Sequence, residues 1–197
     1  MKEFWNERYA EKEFVYGRAP NEFFKTQIDK LAAGKLLLPC EGEGRNAVYA
    51  AAKHWEVKAF DQSEKGKEKC LQLADENNVT VNYQIADALE FDYGTDQYDL
   101  IALIFAHFPS AIRPGIHEKC INALKPGGML ILEAYNPLQL NNSSGGPKDT
   151  SMLYTETMLA DDFKKTIILS IENIHTNLNE GVYHSGISDI IRLIAVK

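Results

Sequence analysis

Apolar positions along the chain change their spacing in a regular way. Phe24, Ile28 and Leu31 recur at i, i+4 and i+7 after Pro20, which predicts a helix with one apolar stripe. Phe4 to Tyr9 reads as a shorter helix with an aromatic face. From Lys35 onward, short apolar runs alternate with helical spacing. Leu36–Leu38 is a first strand, 47–53 a helix, and Trp55, Val57 and Ala59 a second strand. Gly66, Cys70 and Ala74 mark a helix face, and Val79, Val81, Tyr83 and Ile85 alternate as a third strand. Tyr98–Phe105 reads as a strand, unbroken in apolar residues from Leu100 on, as expected at the centre of a parallel sheet. Ile112, Ile116, Cys120 and Leu124 form a helix face, and Met129–Ala134 a fifth strand. Two β-rich runs, 166–174 and 187–196, flank the polar stretch Asn177–Gly181 and predict a terminal hairpin.

Strands alternating with helices imply right-handed crossovers. The expected fold is α/β: a doubly wound, mostly parallel seven-stranded sheet with a C-terminal antiparallel hairpin. One domain is expected over 1–197. Its parts are a helical cap at 1–33, a core at 35–136 and a substrate loop with the terminal strands at 137–197. The polar, glycine-rich stretch 141–148 reads equally as a lid or as a surface loop.

Composition narrows the classes. The chain has 197 residues, 45% of them hydrophobic and 25% charged, as in ordinary globular proteins. A net charge of −7 without a basic cluster argues against nucleic acid as partner. The longest apolar run, Leu100 to Ala106, is too short to span a bilayer, so no membrane association is expected. Met1 to Phe14 carries charges of both signs and no secretory pattern. Cys40, Cys70 and Cys120 lack metal-ligand spacing and read as reduced thiols, so a cytoplasmic protein without a metal is expected. The oligomeric state is not readable.

The stretch Leu36-Leu37-Leu38-Pro39-Cys40-Glu41-Gly42-Glu43-Gly44-Arg45-Asn46-Ala47 runs from a buried strand through a Gly-x-Gly turn into a helix. Such glycines let the backbone pass close under a ligand, and the helix start offers unpaired N–H groups. Asp61 ends the second strand nineteen positions after Gly42. An acidic group at about that spacing can accept from ribose hydroxyls. An adenosine-containing cofactor is therefore expected. Gly42-x-Gly44-x-x-Ala47 also fits a dinucleotide fingerprint, which keeps NAD open. Against it stand the short chain, the late start of the motif after an aromatic preamble, and Leu124-Lys125-Pro126-Gly127-Gly128 before the fifth strand.

These pieces resemble the class I S-adenosylmethionine-dependent methyltransferases over nearly the whole chain. The set is the glycine turn 41–44, Asp61, Ala86-Asp87-Ala88, Tyr98-Asp99-Leu100-Ile101 and 124–128, in the family's order. The opening segments Phe4-Trp5-Asn6-Glu7-Arg8-Tyr9 and Tyr16-Gly17-Arg18-Ala19-Pro20-Asn21 are similar to small tellurite-resistance and thiopurine methyltransferases.

The resemblance implies S-adenosylmethionine as cofactor. Glu41, Gly42, Gly44 and Asn46 would lie at its methionyl part, Asp61 at the ribose, and Gln62, Asp87 and Ala88 at the adenine. Phe105 and Ala106 would face the sulfonium. Trp5, Tyr9 and Tyr16 would close over the cofactor, since aromatic faces attract cations. The family's acid near the end of the first strand is replaced by Leu38, and Glu41 or Glu43 is a candidate substitute. Asp61 as a helix cap, Asp87 as a turn former and the aromatics as core packing are the plain alternatives.

His107, after the central strand, is the candidate general base, against a purely structural role. Glu133, Tyr135 and His184 are second-rank pocket candidates. His117 is expected to be structural or solvated, and Asp99 structural. Ala106-His107-Phe108-Pro109 departs from the Asn/Asp-Pro-Pro-aromatic motif of enzymes that methylate DNA bases. A small-molecule acceptor is expected: a thiol, a hydroxyl or a metalloid oxyanion. An NAD-dependent oxidoreductase and a non-catalytic cofactor-binding protein are the competing readings.

Overall fold

The computed structural model describes residues 2–197, which hold the seven strands of a mixed sheet. They fall into two compact units. The first comprises residues 2–91 with 180–183. It contains helices α1 (Lys2–Tyr9), α2 (Glu22–Ile28), α3 (Arg45–Ala52) and α4 (Glu64–Glu76), with strands β1 (Lys35–Pro39), β2 (Glu56–Asp61) and β3 (Asn82–Ile85). These strands are parallel in the order β3-β2-β1, with Leu36 opposite Val57 and Asp61 opposite Ile85. Leu36–Leu38 are fully buried, which is why β1 reads as an unbroken apolar run, while Ala59 and Phe60 are buried in a β2 that alternates through Glu56 and Lys58.

Helix starts follow capping chemistry. Asn21 accepts from the Phe24 N–H at 2.8 Å, and Ser63 accepts from the Gly66 N–H at 3.1 Å. The helix after Pro20 therefore begins on Asn21. It stops at Ile28, because Lys30 and Leu31 turn back onto Gln27 and Ile28 through i→i−3 bonds, which leaves Leu31 outside the predicted stripe. The third strand is likewise shorter than its alternation suggests. Val79 donates to Ala74 and closes α4 behind Asn78, which adopts a left-handed φ of 55°.

The second unit comprises residues 92–179 and 184–197. Its elements are β4 (Tyr98–Ile104), α5 (Arg113–Ala123), β5 (Leu124–Tyr135), α6 (Glu156–Asp162), β6 (Ile167–Asn179) and β7 (Ser185–Val196). β4 and β5 are parallel, whereas β7 pairs antiparallel with both β5 and β6. The predicted hairpin is present, but its turn lies at 180–184. Leu178 is buried opposite Gly186, so Asn177 and Asn179 belong to the strand despite being turn formers. Helix α6 carries no strong sequence signal beyond its cap, where Thr155 accepts from the Met158 N–H. The stretch 141–148 is pinned to β7. Ser144 bonds the Ile187 carbonyl and the Ser188 hydroxyl, Asn142 bonds Asp189, and the buried Gln139 accepts from the Asp189 N–H.

Candidate active site

In the first unit, the chain after β1 enters a turn in which three of five residues have positive φ: Cys40 at 55°, Gly42 at 61° and Gly44 at 86°. The neighbours explain both glycines. A Cβ on Gly42 would lie 2.5 Å from the Tyr9 hydroxyl, and one on Gly44 would lie 2.2 Å from the Cys70 sulfur. Both amide faces of Gly42 are held. Its N–H donates to Asp61 at 3.3 Å, and its carbonyl accepts from the Tyr83 hydroxyl at 2.7 Å.

Asp61, at the C-terminal tip of β2, also accepts from the Ser63 N–H at 2.8 Å. Burial raises its pKa to about 6, against the stabilising effect of those backbone donors. Each carboxylate oxygen keeps acceptor capacity beyond these bonds. Gln62 is half-buried beside it. Asp87 is exposed, accepts from the Leu89 N–H at 2.8 Å and so closes a turn after β3, with Ala88 inside that turn.

Glu41 accepts from the N–H groups of Asn46 and Ala47 at 2.9 and 2.8 Å. The first turn of α3 is thus closed by this chain's own carboxylate, contrary to the expectation of unpaired donors there. Burial raises the Glu41 pKa to about 7. Glu43 points the other way. It accepts from the backbone N–H of Val15 and Tyr16 and pairs with Lys69 at 2.7 Å. Arg45 donates to the Tyr16 carbonyl and to Glu180, and Asn46 accepts from the Asn21 N–H. The turn therefore clamps residues 15–21 behind α1. Trp5 stacks on Tyr9 at 5.4 Å, and Tyr9 meets Tyr16 edge-on at 6.2 Å. Trp5, Tyr16, Glu41, Gly42, Gly44, Asn46, Asp61, Gln62, Asp87 and Ala88 all lie in this unit.

In the second unit, Phe105 leaves β4 with a left-handed φ of 52° while its N–H donates to the Glu133 carbonyl at 2.7 Å. Its ring meets Tyr135 and His184 at 4.8 and 4.4 Å. Tyr154 clamps the following turn. Its hydroxyl donates to the Ala106 carbonyl and accepts from the Phe108 N–H. Both ring nitrogens of His107 are engaged: Nδ1 lies 2.6 Å from the Met152 carbonyl, and Nε2 accepts from the Tyr135 N–H at 3.2 Å. A donor at Nδ1 and an acceptor at Nε2 define a neutral ring. Burial lowers its pKa to about 4, against the effect of the Met152 bond. Glu133 is fully buried and paired with Arg192 at 2.5 Å, and His117 is buried against Asp162 at 2.8 Å.

These bonds make a prediction. His107 remains an Nδ1-protonated neutral imidazole from pH 5 to pH 8 in long-range ¹H–¹⁵N spectra. A titration midpoint near the ordinary histidine value, about 6.5, would contradict this.

Residues 38–128 match the family model described as a methyltransferase domain. That stretch is similar to methyltransferase domains. Solved structures agree on the fold. The protein described under "Conversion of a Disulfide Bond into a Thioacetal Group during Echinomycin Biosynthesis" is 16% identical with a TM-score of 0.81, covering 100% of this chain and 91% of that one. TehB from Haemophilus influenzae is 16% identical with a TM-score of 0.73, and the match covers 100% of this chain and 66% of TehB. Magnesium protoporphyrin IX methyltransferase from Synechocystis PCC 6803, solved with bound SAH, is 16% identical with a TM-score of 0.72, over 100% and 97% of the two chains. No curated protein matches by sequence. The fold is the Rossmann-like seven-stranded methyltransferase sheet.

Two residues that hold these turns carry no signal in the sequence: Glu180 and Tyr154. Glu180 reaches Arg45 across 135 positions and Tyr154 reaches Ala106 across 48, so no local spacing signals either one.

Proposed function

We propose that this enzyme transfers the methyl group of S-adenosylmethionine to a small-molecule acceptor. The carrying observation is the buried Asp61 carboxylate at the tip of β2, bonded to the left-handed glycine turn and holding spare acceptor capacity. That donor set fits the cofactor: a carboxylate for the ribose diol and aromatic faces for a sulfonium. Gly42 and Gly44 would lie at the methionyl part, with Trp5 and Tyr16 as cover and Gln62, Asp87 and Ala88 at the adenine. Glu41 and Asn46 act there through the shape of the turn. By the family resemblance, Phe105 and Ala106 remain proposed cofactor contacts. When bound, the cofactor supplies an electrophilic methyl and its own leaving group, so the protein chiefly aligns and dehydrates.

His107 is proposed as a positioning residue, because both its nitrogens are engaged by backbone. Acceptors that present an ionised atom near neutral pH then suit the site best, a thiol or a metalloid oxyanion ahead of a hydroxyl. The echinomycin protein's described conversion is likewise at sulfur. No helix among the described residues is long and apolar enough to cross a membrane. A cytoplasmic protein with no nucleic-acid partner is the proposed setting.

Release of S-adenosylhomocysteine from S-adenosylmethionine, measured against a panel of thiols, oxyanions, phenols and amines, tests the reading. Turnover with a thiol or oxyanion is expected. Cofactor binding with no turnover on any acceptor would make this a non-catalytic binding protein instead.

The cofactor site also has a predicted pH dependence. Ribose hydroxyls donating to Asp61 favour its ionised form, so binding lowers a pKa that stands at about 6 in the free protein. S-adenosylhomocysteine should therefore bind more tightly at pH 7.5 than at pH 5, with proton release near pH 6. Calorimetry in two buffers of different ionisation enthalpy reads this. Proton uptake, or affinity falling with pH, would contradict it.

A further inference from the structure

The chain has five arginines. Four end on carboxylates: Arg18 on Glu76, Arg45 on Glu180, Arg113 on Asp162 and Arg192 on Glu133. Arg8 does not. Among the described residues, it meets the rings of Phe4, Trp5 and Tyr183 and the Tyr16 phenol. Its guanidinium lies 4.6 Å from the centre of the Phe4 ring and 4.2 Å from that of Tyr183, and Nη1 donates to the Tyr16 hydroxyl at 3.0 Å. Two neighbouring rings and one anchored nitrogen restrain the fork. Four of its five N–H donors remain for a planar anion.

The surroundings say which anion. The glycine turn is rich in carboxylates, and its cations are already used: Lys69 by Glu43 and Arg45 by Glu180. The N–H groups that open α3 are used by Glu41. A zwitterionic ligand lying at this turn must place its own carboxylate against a positive group. Arg8 adjoins the turn through Tyr16, whose backbone N–H is held by Glu43.

We infer that Arg8 binds the carboxylate of the cofactor's methionyl part, an assignment that rests on the cofactor reading above. The side chain thus supplies the counter-charge that the turn itself lacks. Charge-assisted, forked bonds of this kind carry about a tenfold or larger change in affinity when lost.

Two ligands separate this role from a structural one. S-adenosylhomocysteine carries the amino-carboxylate, and 5′-methylthioadenosine lacks it while keeping the adenosine and the sulfur. Calorimetry on the full chain compares wild type, Arg8→Gln and Arg8→Lys, with thermal melts alongside. Arg8→Gln should weaken S-adenosylhomocysteine about tenfold or more and leave 5′-methylthioadenosine within about twofold. Arg8→Lys, which keeps the charge and loses the fork, should fall between. Equal loss of both ligands would make Arg8 a packing residue of α1, and unchanged binding of both would also overturn the assignment. If wild type binds neither ligand, the cofactor reading itself fails, an outcome recognisable without any variant.

Discussion

Gly44→Ala destabilises the protein by about 3 kcal/mol, because a left-handed residue gains a Cβ in a space already filled. At φ 86° the side chain costs about 1–2 kcal/mol on backbone grounds alone. The added carbon would also stand 2.2 Å from the sulfur, 2.5 Å from the Cβ and 2.9 Å from the Cα of Cys70 on α4. Sulfur could be removed, but the Cα belongs to a helix backbone. Cys70→Ala in the same chain should therefore restore only part of the loss. For a chain of this size, the single variant should melt roughly 6–12 °C lower. A melting temperature within about 2 °C of wild type would show that α3 and α4 separate more easily than their packing suggests.

Asp61→Ala abolishes most of the affinity for S-adenosylhomocysteine, by roughly 1–3 kcal/mol, or about 5- to 150-fold. Two losses combine. The ribose hydroxyls lose their acceptor, and the N–H groups of Gly42 and Ser63, at 3.3 and 2.8 Å from the carboxylate, lose theirs. The second loss loosens the turn itself, so stability falls as well. Asp61→Asn keeps one acceptor oxygen and should fall between wild type and alanine in both measurements. Calorimetry and melts on the three proteins separate the contributions. Unchanged affinity in Asp61→Ala would remove the carboxylate from the ribose site.

The glycine turn and Asp61 were legible because backbone conformation and ligand chemistry both leave local marks. A Gly-x-Gly between a strand and a helix and an acid nineteen positions on can be read without knowing what packs nearby. Their immediate partners were not legible. Gly42 makes room for Tyr9, and Gly44 for Cys70, contacts that only the folded chain creates. Glu41 and Glu43, two positions apart, do opposite jobs: one closes α3, the other holds Val15 and Tyr16. Nothing in their spacing says so. His107 shows the same limit from the other side. Its position after a central strand suggested a base, but Met152 and Tyr135, 45 and 28 positions away, take both nitrogens. Strand periods were read well in the core and poorly at the ends. Val79 closes a helix, and Leu178 extends a strand between two asparagines. Arg8 was hidden by its company, because an arginine between aromatic residues in sequence reads as the polar edge of an apolar face.

The most direct test is a calorimetric titration of the wild-type chain at pH 7.5 with S-adenosylhomocysteine and, separately, with NAD. Micromolar, one-to-one binding of S-adenosylhomocysteine and no heat from NAD is the predicted result. Saturable binding of NAD with none of S-adenosylhomocysteine would contradict the account at its root.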